Sequence, residues 1–347
     1  MTKAWFKISV LFGLLFCIVQ FMYAQEEVIV IPDEITIKET GVTCTLCKPG
    51  IQNKTRSRGV ELAYGLHLSP SVLGQFAKDE DAVDNVFYTL GLKATIPVVN
   101  KPNFKFLVGV KYNREKQIIE GLTATNEITT YLNDNFLNSY AFNLTAVKPL
   151  NARMYTAFRA QTGFAGDIQK FGINKRYINF NILGTFGVKA SEDFEYGFGL
   201  VYSRSYKNDL EYPIPIVIIN KNFTSKFGIE TVLPSHVRIR YNINTQNLLV
   251  LATSYESRSY HLKRLRTELN NTNETVVLDY ASILIKLGLE KQVKGWLWCG
   301  VEAGYIHQLS GELYTRKSEE IILNNDLRNQ PYLNFSLFLS PPKEFIK

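Results

Sequence analysis

From about residue 58 to its end the chain alternates apolar and polar residues with a period of two, and that rhythm constrains the fold more than any other feature. Val60, Leu62, Tyr64, Leu66 and Leu68 alternate with Glu61, Ala63, Gly65 and His67. Phe104, Phe106, Val108, Val110 and Tyr112 oppose Lys105, Gly109, Lys111 and Asn113 in the same way. A helix would spread these apolar residues around its circumference, whereas a strand gathers them on one face. The expected class is all-β and antiparallel.

Fourteen segments carry the rhythm: 58–69, 84–97, 103–113, 136–148, 152–162, 175–189, 193–205, 212–220, 225–232, 236–244, 247–258, 275–290, 294–307 and 330–340. Reading 212–232 as one strand, or extending the neighbours of 114–131, leads to twelve or sixteen; fourteen keeps the alternation in phase. One face of each segment is apolar and aromatic, the other polar, charged or glycine. In a soluble barrel the apolar face would point inward, and in an outer-membrane barrel it points out to lipid.

Three features favour the membrane. Lys3 and Lys7 precede an apolar run from Ile8 to Phe21, and Met22-Tyr23-Ala24 offers a small residue at a cleavage point, so residues 1–24 read as a secretory signal peptide. The segments have the ~10 residues of a tilted membrane strand. Connections alternate in length: 70–83, 114–135, 163–174, 259–274 and 308–329 are long, while Lys148-Pro149-Leu150-Asn151 and Asn244-Thr245-Gln246-Asn247 are tight. Short periplasmic turns facing longer outer loops, with both termini in the periplasm, are the expected asymmetry. The expected organisation is a signal peptide (1–24), an irregular periplasmic extension or small plug (25–57), a transmembrane up-and-down barrel (58–340) and a short tail (341–347).

The stretch Tyr212-Pro213-Ile214-Pro215-Ile216-Val217-Ile218-Ile219-Asn220, then Lys226 to Pro234 and Val237-Arg238-Ile239-Arg240-Tyr241, resembles an uncharacterised family of Gram-negative outer-membrane β-barrels, a domain of unknown function. The likeness lies in a Pro-rich apolar strand, a short turn, and a strand ending in Leu-Pro. It implies outer-membrane placement and brings no site residues with it. Pro341 to Lys347 continue past the last strand, where many such barrels stop on an aromatic.

Little points to catalysis. The four histidines, His67, His236, His261 and His307, lie in no recognisable metal or nucleophile motif, and no enzyme activity or cofactor is expected. Cys44 and Cys47 are expected to form a local disulfide in an oxidising compartment. The net charge of +7 is mixed along the chain without a basic block, so no nucleic-acid partner is expected. Expected partners are outer-membrane lipid, the barrel-assembly machinery and a small-molecule solute.

The functional candidates are charged residues that strand parity turns inward: Lys93, Lys105, Lys111, Arg159, Lys226, Arg238 and Arg240, with Glu61, Glu195 and Glu230. Arg238 and Arg240 share a face about 7 Å apart, a spacing suited to steering an anion. The competing expectation is a network of opposite charges that fills the lumen and transports nothing. Tyr112, Tyr140, Tyr155, Tyr202, Tyr255 and Tyr305 are expected in the aromatic girdles.

Overall fold

The computed structural model describes residues 51, 53–69, 85–101, 103–119, 127–167, 178–204, 213–262, 276–315, 321–324 and 330–340. The first strands are β1 (Val60–Ser69), β2 (Asn85–Lys101), β3 (Phe104–Ile119), β4 (Phe136–Pro149) and β5 (Met154–Gly166), with a helix, α1 (Glu127–Asp134), between β3 and β4. Then follow β6 (Asn179–Ser191), β7 (Phe194–Arg204), β8 (Ile214–Asn222), β9 (Phe227–Leu233) and β10 (His236–Asn242). The last are β11 (Asn247–Leu262), β12 (Val276–Lys294), β13 (Leu297–Thr315), β14 (Ile321–Asn324) and β15 (Gln330–Leu339).

Each strand from β1 to β13 pairs antiparallel with its sequence neighbours, and β15 pairs with both β13 and β1. The sheet therefore closes into a fourteen-stranded up-and-down barrel, and β14 is a short addition on the far end of β13. Closure leaves the ring no unpaired edge, the condition for strands in hydrocarbon. The expected signal peptide, the expected Cys44–Cys47 disulfide and the tail 341–347 lie outside the described residues.

The outer wall is apolar. Ile96 and Phe198 are each 60% exposed, and Leu62, Leu92, Val110 and Leu337 are close to half exposed. Such a continuous apolar belt around a closed ring is a lipid-facing surface, with the polar face turned to the lumen. The protein is an outer-membrane barrel.

Tight turns gather at one end, the end expected to face the periplasm: Glu192–Asp193, Phe223–Lys226, Ile243–Gln246 and Gly295–Trp296. Gly295 takes a φ of 54°, a left-handed conformation that suits glycine at a two-residue hairpin. At the other end the wall is uneven. β9 and β10 have 7 residues each and are joined by Pro234–Ser235, while β12 and β13 have 19 each. With usual strand rise and tilt, the low wall climbs about 18 Å and the tall wall about 49 Å.

Above the low wall, β11 leans across to β5. His261 pairs in parallel with Gly166, and the Asp167 amide donates to the His261 carbonyl at 3.3 Å. A side chain at position 166 would run into that carbonyl, so the close approach requires glycine. Tyr255 of β11 consequently packs on Val201, Ile214 and Ile216 of β7 and β8, buried rather than at a lipid interface. The narrowed outer end is filled by Leu132 of α1 with Leu137, Ala165, Tyr260, Leu262, Val276, Leu278 and Leu313. Leu262, Val276 and Leu313 have no exposed surface. This apolar plug and α1 were not among the sequence expectations.

Candidate functional site

The lumen is narrowed at its tight-turn mouth by the chain itself. Residues 53–59, just before β1, run across the mouth as a strap. Lys54 forms an ion pair with Glu195 of β7, a carboxylate with no exposed surface that also accepts from Tyr155 and, at 3.1 Å, from Asn220. The amide and hydroxyl of Thr55 both donate to Glu230 of β9 at 2.8 Å. Arg56 donates to the Thr245 carbonyl at 2.9 Å and lies 4.9 Å over the Trp298 ring. Arg58 pairs with Glu61 and, at 2.7 Å, with Glu290, and sits 4.6 Å over Phe338. Seven residues thus tie β7, β9, β12 and β15 together from inside.

Above the strap lies a chamber of about 320 Å³. Lys93 of β2 and Lys111 of β3 lie directly opposite each other in the register and line one side. Arg238 of β10 lines it from the far side, since β3 and β10 stand seven places apart in a ring of fourteen. Lys286 of β12 also lines it and pairs with Glu302 at 2.9 Å. The roof is a bar in which Arg258 of β11 holds Glu115 of β3 at 2.9 Å and Glu256 at 3.0 Å. Tyr260 donates to Glu115 at 3.1 Å and Gln117 to Tyr280 at 3.1 Å, and the apolar plug begins just above.

The sequence candidates divide into four groups. Lys93, Lys111, Arg238 and Glu61 line the chamber. Glu195, Glu230 and Arg240 instead form the seat of the strap. Arg240 is fully buried, its Nε 3.0 Å from Glu230 and its Nη2 2.6 Å from Asn222. Gly228 makes room for that guanidinium, since a Cβ there would collide with it. Arg238 and Arg240, expected to act together, therefore have separate roles. Lys105 and Arg159 face inward but lie buried away from the chamber, Arg159 donating to Asn143 and Gln161 at 3.1 and 2.8 Å. Lys226 is corrected: it is exposed in the Phe223–Lys226 turn, where Thr224 Oγ1 accepts from the Lys226 and Phe227 amides. Tyr155, expected in a girdle, is buried against Glu195.

Sequence reasoning missed Arg58, Glu115, Glu256, Arg258, Lys286, Glu290 and Glu302. Glu115 and Gln117 continue the inward parity of Lys111 and Asn113, so extending the 103–113 segment by two repeats would have found them. Lys286, Glu290 and Glu302 lay on expected strands with the right parity. Arg58 gave no such cue, because Glu290 and Glu302 lie 232 and 244 residues away.

Among solved structures, the fold is similar to the NanC porin at 9% identity, with 81% of this chain and 99% of that one covered and a TM-score of 0.40. The KdgM porin matches at 8% identity over 81% and 98% of the two chains, with a TM-score of 0.33. Outer membrane phospholipase A from Escherichia coli matches at 10% over 83% and 99%, with a TM-score of 0.34. The barrel assignment stands on this chain's own strand pairing. A search of curated proteins gave no match. Residues 119–340 match the profile of a domain of unknown function (DUF6268), and the chain belongs to that family of outer-membrane β-barrels.

Proposed function

We propose that the protein is a gated carrier of small solutes across the outer membrane, held closed in this arrangement. One observation supports the reading: a charged chamber on the barrel axis, bordered below by a strap that is not part of the wall. A barrel built only to stand in the membrane has no need of a chamber in the size range of ligand pockets. The strap is held by polar contacts, each of which water can replace when the strap moves. The role is binding and passage rather than catalysis; His307 is exposed on the outer wall, and His261 lies at the β11–β5 contact.

The apolar plug at the outer end favours a second reading, a sealed interaction barrel whose segments 114–135 and 308–329 make the contacts. Planar-bilayer recording separates the two. Wild-type protein is expected to stay mostly closed, and a Lys54→Met/Thr55→Val variant to show more frequent openings. A folded variant that never conducts, together with no solute flux in liposomes, would refute the carrier and leave the sealed barrel.

A further inference from the structure

We infer that the outward face of β3 and β4, at the end of the barrel opposite the tight turns, binds the phosphate-bearing headgroup of a membrane lipid through Arg114 and Lys116. The inference is independent of the carrier reading. On β3 the residues that strand parity turns outward are apolar or aromatic from Phe104 to Tyr112, and Arg114 and Lys116 follow on the same face. With usual strand rise and tilt, Arg114 stands about 25 Å above Phe104, which is the height of the apolar band of an outer-membrane barrel. The two cations therefore lie where acyl chains give way to headgroups. With the tight turns toward the periplasm, that level belongs to the outer leaflet.

Both cations are gathered on one ring. The Arg114 guanidinium lies 3.5 Å from the centroid of Phe136 and the Lys116 ammonium 4.9 Å from it. Phe136 opens β4 on the outward face, opposite Lys116 in the register. Stacking on a ring occupies the face of a guanidinium and leaves its N–H rim for an acceptor. That rim makes no hydrogen bond among the described residues, and neither cation has a carboxylate at ion-pair distance. Glu115, between them in sequence, is turned into the lumen, where Arg258 holds it at 2.9 Å. Asp134, exposed at the end of α1, pairs with neither. Lys116 donates to the Asn133 carbonyl, and an ammonium has two further donors. Like charges drawn to one ring repel, and a phosphate between them removes that cost, with Arg114 able to take two of its oxygens.

Below the cations, Tyr112, Tyr140 and Phe164 form a ladder across β3, β4 and β5, each ring centroid 5.0 Å from the next. Acyl chains lie against such rings, whereas a soluble phosphate gains nothing from them. Cations set directly above an apolar wall thus favour a lipid over a free anion.

The test is native mass spectrometry of the refolded full chain released from neutral detergent micelles. The probes are dioleoyl phosphatidic acid, dioleoylglycerol (the same chains without phosphate) and inorganic phosphate. Wild type is expected to retain one phosphatidic acid saturably, and the other two probes at least about tenfold more weakly. Arg114→Gln with Lys116→Gln is expected to weaken phosphatidic acid by about tenfold or more. Lys221→Gln, which removes a cation set 5.3 Å over Phe223 at the opposite interface, is expected to leave it unchanged. Circular dichroism checks that each variant keeps its strands; if the double variant does not refold, Arg114→Gln alone carries the comparison. Equal retention by variant and wild type overturns the site. Unsaturable retention of several phosphatidic acids is the mark of annular lipid only, and overturns it as well. Dioleoylglycerol or inorganic phosphate held as tightly as phosphatidic acid overturns the lipid headgroup as its ligand.

Discussion

The strap at the periplasmic mouth and the plug at the outer end both close the lumen, but with opposite chemistry. The strap is a single extended segment held by ion pairs and hydrogen bonds to Glu195, Glu230, Glu290 and Glu302. The plug is an apolar cluster contributed by α1, β4, β5, β11, β12 and β13, all but α1 being parts of the wall. Removing the strap exposes charged groups that water solvates readily. Opening the plug separates large apolar surfaces and the β11–β5 contact together. Passage needs both seals to part: the strap gives up polar contacts that water replaces, and the outer cluster must separate apolar surfaces at greater cost.

The largest effect is expected at the seat of the strap. Arg240→Ala removes a fully buried guanidinium and leaves Glu230 without its buried partner. Breaking such a pair costs about 3–5 kcal/mol, to be read from urea unfolding in lipid vesicles. Replacing both members, Arg240→Met with Glu230→Gln, is expected to recover much of that loss, because no buried charge is then left alone. A single variant as stable as wild type would show that the seat contributes nothing to the barrel and that the strap alone gives Glu230 its purpose.

Leu262→Ala tests the other seal. Leu262 has no exposed surface and packs within the outer cluster, so its loss is expected to cost about 2–5 kcal/mol, with a cavity left behind. Bilayer conductance should not change, since the cluster remains closed around the gap. Frequent openings at wild-type stability would reverse the comparison and make the outer end the gate.

How far these two regions could be read in advance differs for physical reasons. In the lipid zone one face must be apolar and the other polar, so the expected segment 136–148 became Phe136–Pro149 and 193–205 became Phe194–Arg204. Beyond the lipid that contrast fades. Arg114, Glu115, Lys116 and Gln117 are all polar, and β3 ran on through a stretch read as loop. Lys226 was misplaced because parity was extrapolated one residue before Phe227, into a turn where alternation has no meaning. The strap was legible only as an irregular segment before the barrel, with extension or plug left open. Apart from Arg58–Glu61, its ion pairs reach 141 to 244 residues along the chain, and no local pattern encodes them. Chamber residues were found where a single strand's parity sufficed, and missed where closure of the ring supplied the partner.

The smallest effect, and the sharpest separation of the two seals, is expected from Thr55→Val. The substitution keeps the shape of the side chain and removes the hydroxyl that donates to Glu230, while the Thr55 amide still donates to the same carboxylate. Glu230 also keeps Arg240 at 3.0 Å, so no buried charge is stranded. The loss is therefore one hydrogen bond to a charged acceptor, about 1.5–3 kcal/mol at the strap. That cost falls on local release of the strap rather than on unfolding of the wall, because the barrel strands keep every pairing. Amide exchange at residues 53–59 is expected to quicken by about tenfold or more, while the unfolding midpoint stays near wild type. If the midpoint falls and exchange at the strap does not change, the strap unfolds only with the barrel. It would then be a fixed part of the barrel and not a movable seal.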